Sequence, residues 1–259
     1  MQRPTTGNPT TVGIIPARWN SSRFPGKPLH LIAGKSLLER VYERCASCPT
    51  LDAVLVATDD DRIAEAASAF GAHVAMTRSD HLSGTDRIAE VAEQLPDNTM
   101  IVNIQGDEPL ISPDLIGQLA ECLRSPTAAG IVTAAGIITD ETEIADPNVV
   151  KVVVDAAGDA LYFSRSPLPF RRHPDVDLPT LRHHGIYAFR RDALLRFVAA
   201  EPSLLERTEG LEQLRALHIG ERIHVVLTAE ASIGIDTPEQ ANRFETTLQD
   251  AKNSNHPVT

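Results

Sequence analysis

Three cationic side chains lie close together near the start of the chain, in a stretch that follows an apolar run. Arg18, Arg23 and Lys27 stand among prolines and a glycine in the sequence IPARWNSSRFPGKPL (residues 15–29). Proline fixes φ, and glycine lets a backbone approach a bound group without interference from a Cβ atom. The spacing matches neither the G-x-x-x-x-G-K-[ST] loop nor the dinucleotide G-x-G-x-x-G. It predicts another kind of semi-rigid loop for the phosphates of a nucleoside triphosphate, with a solvated basic turn as the structural alternative.

Two carboxylates follow stretches that read as strand ends. Asp107 comes shortly after the apolar run Met100–Ile104, and Asp236 follows Gly234-Ile235 just before a helix start at Pro238. Ligands bind beyond the carboxyl ends of strands in an open parallel sheet, so we expect both acids at the same edge. Mg²⁺ is commonly held by one or two carboxylates together with substrate phosphates. Facing a basic loop, the pair indicates metal-assisted phosphoryl or nucleotidyl transfer, although each stretch alone also fits a turn or a helix cap.

A polar run, Thr77–Arg87, precedes a predicted helix over Ile88–Leu95. Its hydroxyl groups, free backbone N–H groups and arginines suit a base, a ribose or an acid. Ser83 or Thr85 would serve equally well as the cap of that helix. The run is therefore a second candidate for nucleotide contacts.

Alternation of short β-branched runs with helical periods indicates how these residues are positioned. Strands are predicted at Val12–Ile15, Ala53–Ala57, Met100–Ile104, Ile131–Ile138, Val149–Val154 and Ile186–Phe189. Helical patterns include Leu37–Cys45, Ile63–Phe70 and a helix after the cap Ser112. Such alternation is typical of an α/β protein with a mostly parallel sheet covered on both faces. We expect one domain over residues 12–250, with flexible tails at 1–11 and 251–259 and an antiparallel insertion at about 149–190.

Composition narrows the class of protein. A net charge of −11 over 259 residues disfavours nucleic-acid binding. We expect no membrane anchor, because no apolar stretch approaches the ~18 residues that a span requires. The three cysteines, Cys45, Cys48 and Cys122, favour a reducing compartment and a cytoplasmic location. Cys45 and Cys48 have no second cysteine or histidine pair to complete a zinc site, so a core role is the simpler interpretation.

Taken together, the motifs resemble those of the bacterial 3-deoxy-D-manno-octulosonate cytidylyltransferases, also called CMP-Kdo synthetases. The matching pieces span roughly residues 12 to 247 and are IPAR and SRFPGKPL (15–29), VATD (56–59), MTRSDHLSGT (76–85), QGDEP (105–109), YFSR (162–165), RHHGIY (182–187), LEQLR (211–215) and GIDTP (234–238). The opening loop alone also fits other nucleotidyltransferases, including CMP-sialate synthetases. The elements T-R-x-D-H-x-S-G-T and Y-F-S-R are more specific.

The resemblance implies an α/β fold of the nucleotide-diphospho-sugar transferase type, a three-layer α/β/α sandwich with a mostly parallel sheet and a small antiparallel insertion. It implies that CTP and Kdo react to give CMP-Kdo and pyrophosphate, the activation step before Kdo enters lipopolysaccharide. It also implies Mg²⁺ dependence and a homodimer. Another sugar acid, such as 8-amino-Kdo or a sialate, is an alternative acceptor, and a nucleotide-binding protein that has lost catalysis is an alternative of a different class.

Site residues are carried over from the same resemblance. The expected catalytic residues are Arg18, Lys27, Asp107 and Asp236. The resemblance assigns the triphosphate to Arg18 and Lys27 with Arg23, the cytosine and ribose to Arg78, Ser83, Gly84 and Thr85, Mg²⁺ to Asp107 and Asp236, and the Kdo pocket to Gln105, Arg165, His183, Tyr187, Glu212 and Gln213.

Physical chemistry supports some of these roles and leaves others open. Kdo is an acidic sugar, and the planar fork of an arginine such as Arg165 binds a carboxylate in bidentate fashion. His183 lies alone in a predicted strand, where a histidine is more often structural. Glu212 and Gln213 either point at a ligand or lie on a solvated surface. Trp19 and His184 depart from the residues expected in the family.

Overall fold

Strands and helices alternate through the computed structural model, which describes residues 9–20, 24–125, 129–173, 175–230 and 234–254. The strands are β1 (Thr11–Ala17), β2 (Leu31–Ile32), β3 (Lys35–Ser36), β4 (Ala53–Thr58), β5 (His73–Met76), β6 (Met100–Asn103), β7 (Ile131–Ile137), β8 (Lys151–Val154), β9 (Ala160–Ser164), β10 (Leu181–Arg190) and β11 (Ile223–Leu227). The helices are α1 (Leu37–Ala46), α2 (Asp61–Ala69), α3 (Gly84–Glu93), α4 (Pro113–Arg124), α5 (Thr142–Ala145), α6 (Arg191–Ala199), α7 (Leu204–Glu209), α8 (Gln213–His218) and α9 (Pro238–Ser254).

Nine strands form one mixed sheet in the order β11-β7-β10-β6-β1-β4-β5, with β8 paired to β10 and β9 paired to β8. Strand β1 runs parallel to β4 and β6, and β7 runs parallel to β11. Strand β10 runs antiparallel to β6, β7 and β8. The predicted α/β class is confirmed, and the antiparallel element reaches the middle of the sheet through β10. Strands β2 and β3 form a separate antiparallel pair.

Apolar clusters cover both faces of the sheet. Ile14 and Ile15 are neighbours on β1, both are fully buried, and they belong to different clusters because successive side chains of a strand point to opposite faces. Helices α1, α2 and α4 supply one cluster, and α3, α6 and α8 supply the other. This arrangement is the three-layer sandwich, and it explains why the central strands have nearly continuous apolar sequences.

The predicted strand end before Asp236 is wrong. Strand β11 ends at Leu227, and residues 234–237 have irregular backbone. Ile235 is buried in a small satellite cluster that includes Phe24 and Ile32, and its N–H donates to the carbonyl oxygen of Asp107 at 2.9 Å. The apolar residue that looked like part of a strand anchors a loop instead. Among the described residues, no helix is long and apolar enough to cross a bilayer.

A left-handed glycine shapes the basic loop. Gly26 has φ of +70°, and a Cβ atom there would lie 3.1 Å from two ring carbons of Trp19. Gly34 has φ of +82° with open space around it. Glycine is therefore needed at Gly26 because of its positive φ and because of the close approach of Trp19, and at Gly34 because of its positive φ alone.

We expect Gly34→Ala to lower the free energy of unfolding by about 1–2 kcal/mol, the usual cost of a left-handed non-glycine residue. Gly26→Ala should cost more than Gly34→Ala, because the added methyl group also meets Trp19. Urea unfolding followed by circular dichroism measures both. Equal losses would show that the Trp19 contact imposes no constraint of its own.

Candidate active site

The basic loop is held in shape by its own backbone and by Trp19. The N–H of Gly26 donates to the Trp19 carbonyl oxygen and the N–H of Lys27 donates to the Phe24 carbonyl oxygen, each at 3.1 Å. The guanidinium carbon of Arg62 lies 3.5 Å from the centre of the Trp19 ring, which is a cation–π contact. Trp19 therefore packs against Gly26 and Arg62 and supports the conformation of the loop. Arg23 lies outside the described residues.

The ammonium of Lys27 joins the two predicted metal-binding carboxylates. Its Nζ lies 2.6 Å from Oδ2 of Asp107 and 3.1 Å from Oδ1 of Asp236, and its side chain is mostly buried. The backbone bond from Ile235 to Asp107 holds the two acidic loops side by side, and the N–H of Asp236 donates to Oε1 of Gln240 at 2.6 Å. Both carboxylates therefore converge on one point, as the sequence predicts, although only Asp107 follows a strand.

A cavity of about 270 Å³ surrounds this charged cluster, and we call it the basic cavity. Its lining includes Arg18, Lys27, Ser83, Gly84, Arg87, Gln105, Asp107 and Asp236. Arg18 is exposed at its rim. The α3 N-terminus also borders the cavity, where Ser83 accepts from the N–H of Asp86 and the Asp86 carboxylate accepts from the N–H of Ser83. A helix N-terminus favours anions, so this wall suits phosphate oxygens.

A second cavity of about 450 Å³ adjoins the first, and we call it the acceptor cavity. Gly84 and Gln105 line both cavities. Of the predicted sugar-binding residues, the structure places Gln105, His183, Tyr187, Glu212 and Gln213 on its wall, together with Thr85 from the nucleotide run. The two cavities therefore share a boundary at which bound groups would meet.

An irregularity in β10 opens the acceptor cavity. The register between β10 and β7 shifts between His184 and Tyr187, so the backbone bulges at this point. The side-chain amide of Gln105 donates to the carbonyl oxygen of Gly185 at 3.1 Å and fixes the bulge against the QGDEP loop. A Cβ atom added at Gly185 would meet no atom within 4 Å. This glycine leaves free space in the cavity wall.

Burial keeps two hydrogen-bonding side chains of the acceptor cavity, His183 and Tyr187, uncharged. Burial, helped by the charge of His184, lowers the pKa of His183 to about 3, and its Nε2 lies 3.0 Å from Oγ1 of Thr133. Burial and the neighbouring Glu212 raise the pKa of Tyr187 well above its ordinary value. Burial also raises the pKa of Glu212, whose carboxylate accepts from the Thr85 hydroxyl at 2.9 Å. His183 and Tyr187 are thus neutral hydrogen-bonding groups near pH 7.

Two predicted residues lie off the cavity walls. The guanidinium of Arg165 donates to the carbonyl oxygens of Glu209 at 2.7 Å, Pro147 at 2.8 Å and Gly210 at 3.3 Å, and these bonds hold it beside the acceptor cavity. Arg78 is exposed, with its Nε 3.3 Å from Asp80. It borders a separate surface pocket.

Comparison with known proteins follows the same direction as the geometry. The model of the cytidylyltransferase family matches residues 12–223. The chain is 52% identical to the 3-deoxy-manno-octulosonate cytidylyltransferase of Solibacter usitatus, over 90% of this chain and 92% of the relative. It is 50% identical to that of Pseudomonas syringae pv. tomato, over 91% and 97%. The chain belongs to the 3-deoxy-manno-octulosonate cytidylyltransferase family.

Solved structures place this cytidylyltransferase among similar folds. A CMP:2-keto-3-deoxy-manno-octonic acid synthetase complexed with CTP superposes with a TM-score of 0.88 at 42% identity, covering 93% of this chain and 99% of that one. A 4-diphosphocytidyl-2C-methyl-D-erythritol synthase from Anaerococcus prevotii superposes with a TM-score of 0.62 at 17% identity, covering 94% and 100%. The second similarity concerns the fold alone.

The carboxylates of the cytidylyltransferase fit a hard cation. Asp107 and Asp236 present oxygen ligands at one point, already shared by a cationic group, Lys27. In the described part of the chain, no cluster of three or more histidine, cysteine or acidic side chains is present that would hold a metal by itself. Two carboxylates whose remaining partners come from substrate phosphates are the usual arrangement for Mg²⁺.

Other residues at the site of the cytidylyltransferase are ones that sequence reasoning missed. Arg87 is buried, its guanidinium lies 3.0 Å from Asp59, and it lines the basic cavity. Arg182 lines the acceptor cavity and pairs with Glu143 at 3.0 Å. Asn103 also lies on the acceptor cavity. Arg87 ends the polar run 77–87 and Arg182 opens RHHGIY, so each stood in a predicted segment without a role of its own, and Asn103 stands two residues before QGDEP.

Histidine burial gives this cytidylyltransferase a testable pH dependence. The unfolded chain protonates His183 below about pH 6.5, whereas the folded protein leaves it neutral down to about pH 3. The unfolded state therefore binds more protons between about pH 6.5 and pH 3. The contribution of the neutral His183 to the free energy of unfolding is full above about pH 6.5 and is lost as the pH falls.

We expect the free energy of unfolding of the wild type to fall more steeply between about pH 6 and 4.5 than that of His183→Gln, by up to ~1.4 kcal/mol per pH unit. Urea titrations at a series of pH values measure the slopes, with the exposed His218→Gln as the matched control. Identical slopes for wild type and His183→Gln would contradict the burial of a neutral imidazole.

Proposed function

We propose that this protein transfers CMP from CTP to the anomeric hydroxyl of Kdo, giving CMP-Kdo and pyrophosphate for lipopolysaccharide synthesis. The observation that carries the proposal is the shared boundary of the two cavities at Gly84 and Gln105. One cavity is cationic and acidic, as a triphosphate with a divalent cation requires. The other is lined by neutral hydrogen-bonding groups such as Gln105, His183 and Tyr187 together with the guanidinium of Arg182, as an acidic sugar requires. The names of the relatives support the choice of CTP and Kdo.

The chain supplies binding and charge stabilisation in this reaction. Arg18 and Lys27, with Arg23, would hold the triphosphate against the α3 N-terminus. The anomeric hydroxyl then attacks the α-phosphorus in line and loses its proton to water. A new P–O bond forms, and the bond from the α-phosphorus to the bridging oxygen breaks, so that pyrophosphate leaves with that oxygen. Fixed cations stabilise the charge that develops on the phosphate oxygens. Mg²⁺ bound by Asp107 and Asp236 would add Lewis-acid stabilisation of the same oxygens.

A protein nucleophile and a histidine base are unnecessary in this scheme. The imidazole of His183 is already 3.0 Å from the hydroxyl oxygen of Thr133, and with a pKa of about 3 it is a weak proton acceptor. We propose that His183, Tyr187 and Gln213 contact the sugar as neutral groups.

The remaining predicted contacts follow from their positions. We propose Gln105 and Glu212 as further sugar contacts, and Ser83, Gly84 and Thr85 as ribose contacts from the α3 N-terminus. Arg78 lies off the walls of both cavities, and its exposed side chain would have to turn toward the basic cavity to reach the cytosine. The sugar carboxylate requires a guanidinium, for which Arg165 at the margin and Arg182 on the wall are the candidates.

Pyrophosphate release tests the proposal. Release should require CTP, Kdo and Mg²⁺ together. The rate should fall about 100-fold or more in Asp107→Ala and in Asp236→Ala, because each variant lacks a proposed Mg²⁺ ligand and the metal then no longer offsets the charge on the phosphates. Asp97→Ala is the matched control, since Asp97 pairs with Arg191 on the surface. Unchanged rates in both site variants would exclude the paired metal role, and the alternative of a non-catalytic protein fails if release depends on Asp107.

The same assay separates Kdo from other acceptors. Turnover on Kdo, 8-amino-Kdo and a sialate is compared at saturating CTP. Good activity on another acid with none on Kdo would replace the proposed acceptor while keeping nucleotidyl transfer.

We propose that two copies of the chain associate in the cytoplasm, and that they do so through the antiparallel insertion at about residues 149–190, which we call the antiparallel segment. The side chain of Phe170 is 90% exposed, and further exposed apolar side chains of this segment are Leu161, Val176 and Leu178. Several exposed large apolar side chains within one segment of the chain are a candidate for an interaction surface. The cysteines support the location, since Cys45, Cys48 and Cys122 are free thiols as a reducing compartment favours.

Sedimentation velocity tests the dimer. We expect Phe170→Ser to raise its dissociation constant about 30-fold, as loss of a buried aromatic anchor does. Leu204→Ser is the matched control, because Leu204 is 76% exposed on α7 outside the segment. A monomeric wild type, or equal effects of both variants, would exclude this interface.

A further inference from the structure

Asn103 carries a buried oxygen with an unmet hydrogen-bonding capacity. It is the last residue of β6 and is 2% exposed. Among the described residues, no group donates a hydrogen bond to its Oδ1. An acceptor left in this state destabilises the fold, and roughly 90% of buried polar groups avoid that cost. The oxygen therefore lacks a partner in the described part of the chain, and a bound molecule could supply one.

The position of Asn103 shows where such a partner would be. Asn103 lines the acceptor cavity and pairs in register with Tyr187 on β10. Its polar neighbours are already bonded within the protein. The Gln105 amide donates to Gly185, and the Thr133 hydroxyl interacts with Tyr187 and with the carbonyl oxygen of Ile186. Asn103 is thus an unsatisfied acceptor on a wall where the adjacent polar groups have partners.

Two other buried oxygens without a hydrogen-bond partner, on Asp59 and Thr99, differ in their surroundings. Asp59 lies 3.0 Å from the guanidinium of Arg87, so its charge is matched. Thr99 lies immediately before β6, at the opposite end of that strand from Asn103. Neither residue lines the acceptor cavity. Thr99 lines a separate cavity of about 270 Å³ that shares no residue with the candidate site. Among the described residues, an unmet acceptor on the wall of the acceptor cavity itself occurs at Asn103.

We propose that Asn103 is a specificity-determining residue, whose Oδ1 accepts a hydrogen bond from a non-anomeric hydroxyl of the acceptor sugar. This inference rests on the proposed function and adds a residue to it. A site built to bond a hydroxyl rejects an analogue that lacks it, because its own polar group is then left unpaired. The oxygen that is costly in the free protein thereby becomes a source of discrimination.

Replacement by leucine tests the idea at similar side-chain volume. Asn103→Leu removes the unpaired acceptor, so its melting temperature without ligands should equal or exceed that of the wild type. Its kcat/KM for Kdo should fall about 10- to 100-fold, while KM for CTP is unchanged. A marked fall in melting temperature would indicate that Oδ1 holds the fold together through water and would overturn the proposal.

Analogues of Kdo that each lack one non-anomeric hydroxyl provide the readout that a structural role would not move. The wild type should disfavour one analogue strongly, and Asn103→Leu should use that analogue and Kdo equally well while keeping its discrimination at the other positions. Asn103→Ala, which adds no bulk, should show the same loss. Thr99→Val removes a comparable unpartnered oxygen remote from the cavity and should leave every ratio unchanged.

The outcomes separate the two levels of the argument. If the wild type turns over Kdo but the analogue ratios are the same in Asn103→Leu and Asn103→Ala, the inference about Asn103 is overturned and the proposed function stands. If the wild type does not turn over Kdo in the presence of CTP and Mg²⁺, both fail.

Discussion

The bridge from Lys27 to Asp107 and Asp236 is the interaction on which the site depends. Two carboxylates brought together beside a phosphate-binding loop repel each other and any triphosphate, the more so in a protein of net charge −11. One ammonium between them reduces that repulsion. Its position requires the left-handed Gly26, the packing of Trp19 and the backbone bond that ties the Ile235 loop to Asp107.

The acceptor cavity follows the opposite electrostatic principle. Burial removes the charge of His183 and keeps the phenol of Tyr187 protonated, so these groups offer hydrogen bonds without net charge. A sugar with many hydroxyls is read best by such groups, whereas phosphates need fixed cations. The cavities meet at Gly84 and Gln105. The edge of the sheet therefore provides a different electrostatic environment for each of the two substrates.

Local sequence predicted the central strands and the capped helices well, because their apolar periods reflect burial on both faces. It missed β5 and β11, the two ends of the sheet, where exposure interrupts the apolar run. It placed Asp236 at the correct edge but on the wrong element, since the satellite cluster around Ile235 and the backbone bond from Ile235 to Asp107 fix that loop. The residue type at Arg165 gave no warning that carbonyl groups of Pro147 and Glu209 would engage it. Such partners are distant in sequence.

The bulge at Gly185 has a consequence for the choice of acceptor. Its backbone is fixed by Gln105, yet the space beside its α-carbon is empty. Side chains of different size at Gly185 would reshape the acceptor cavity without disturbing the packing of the sheet. A single substitution at Gly185 can therefore change which acceptor fits, while the carboxylates and cations that face the phosphates keep their positions.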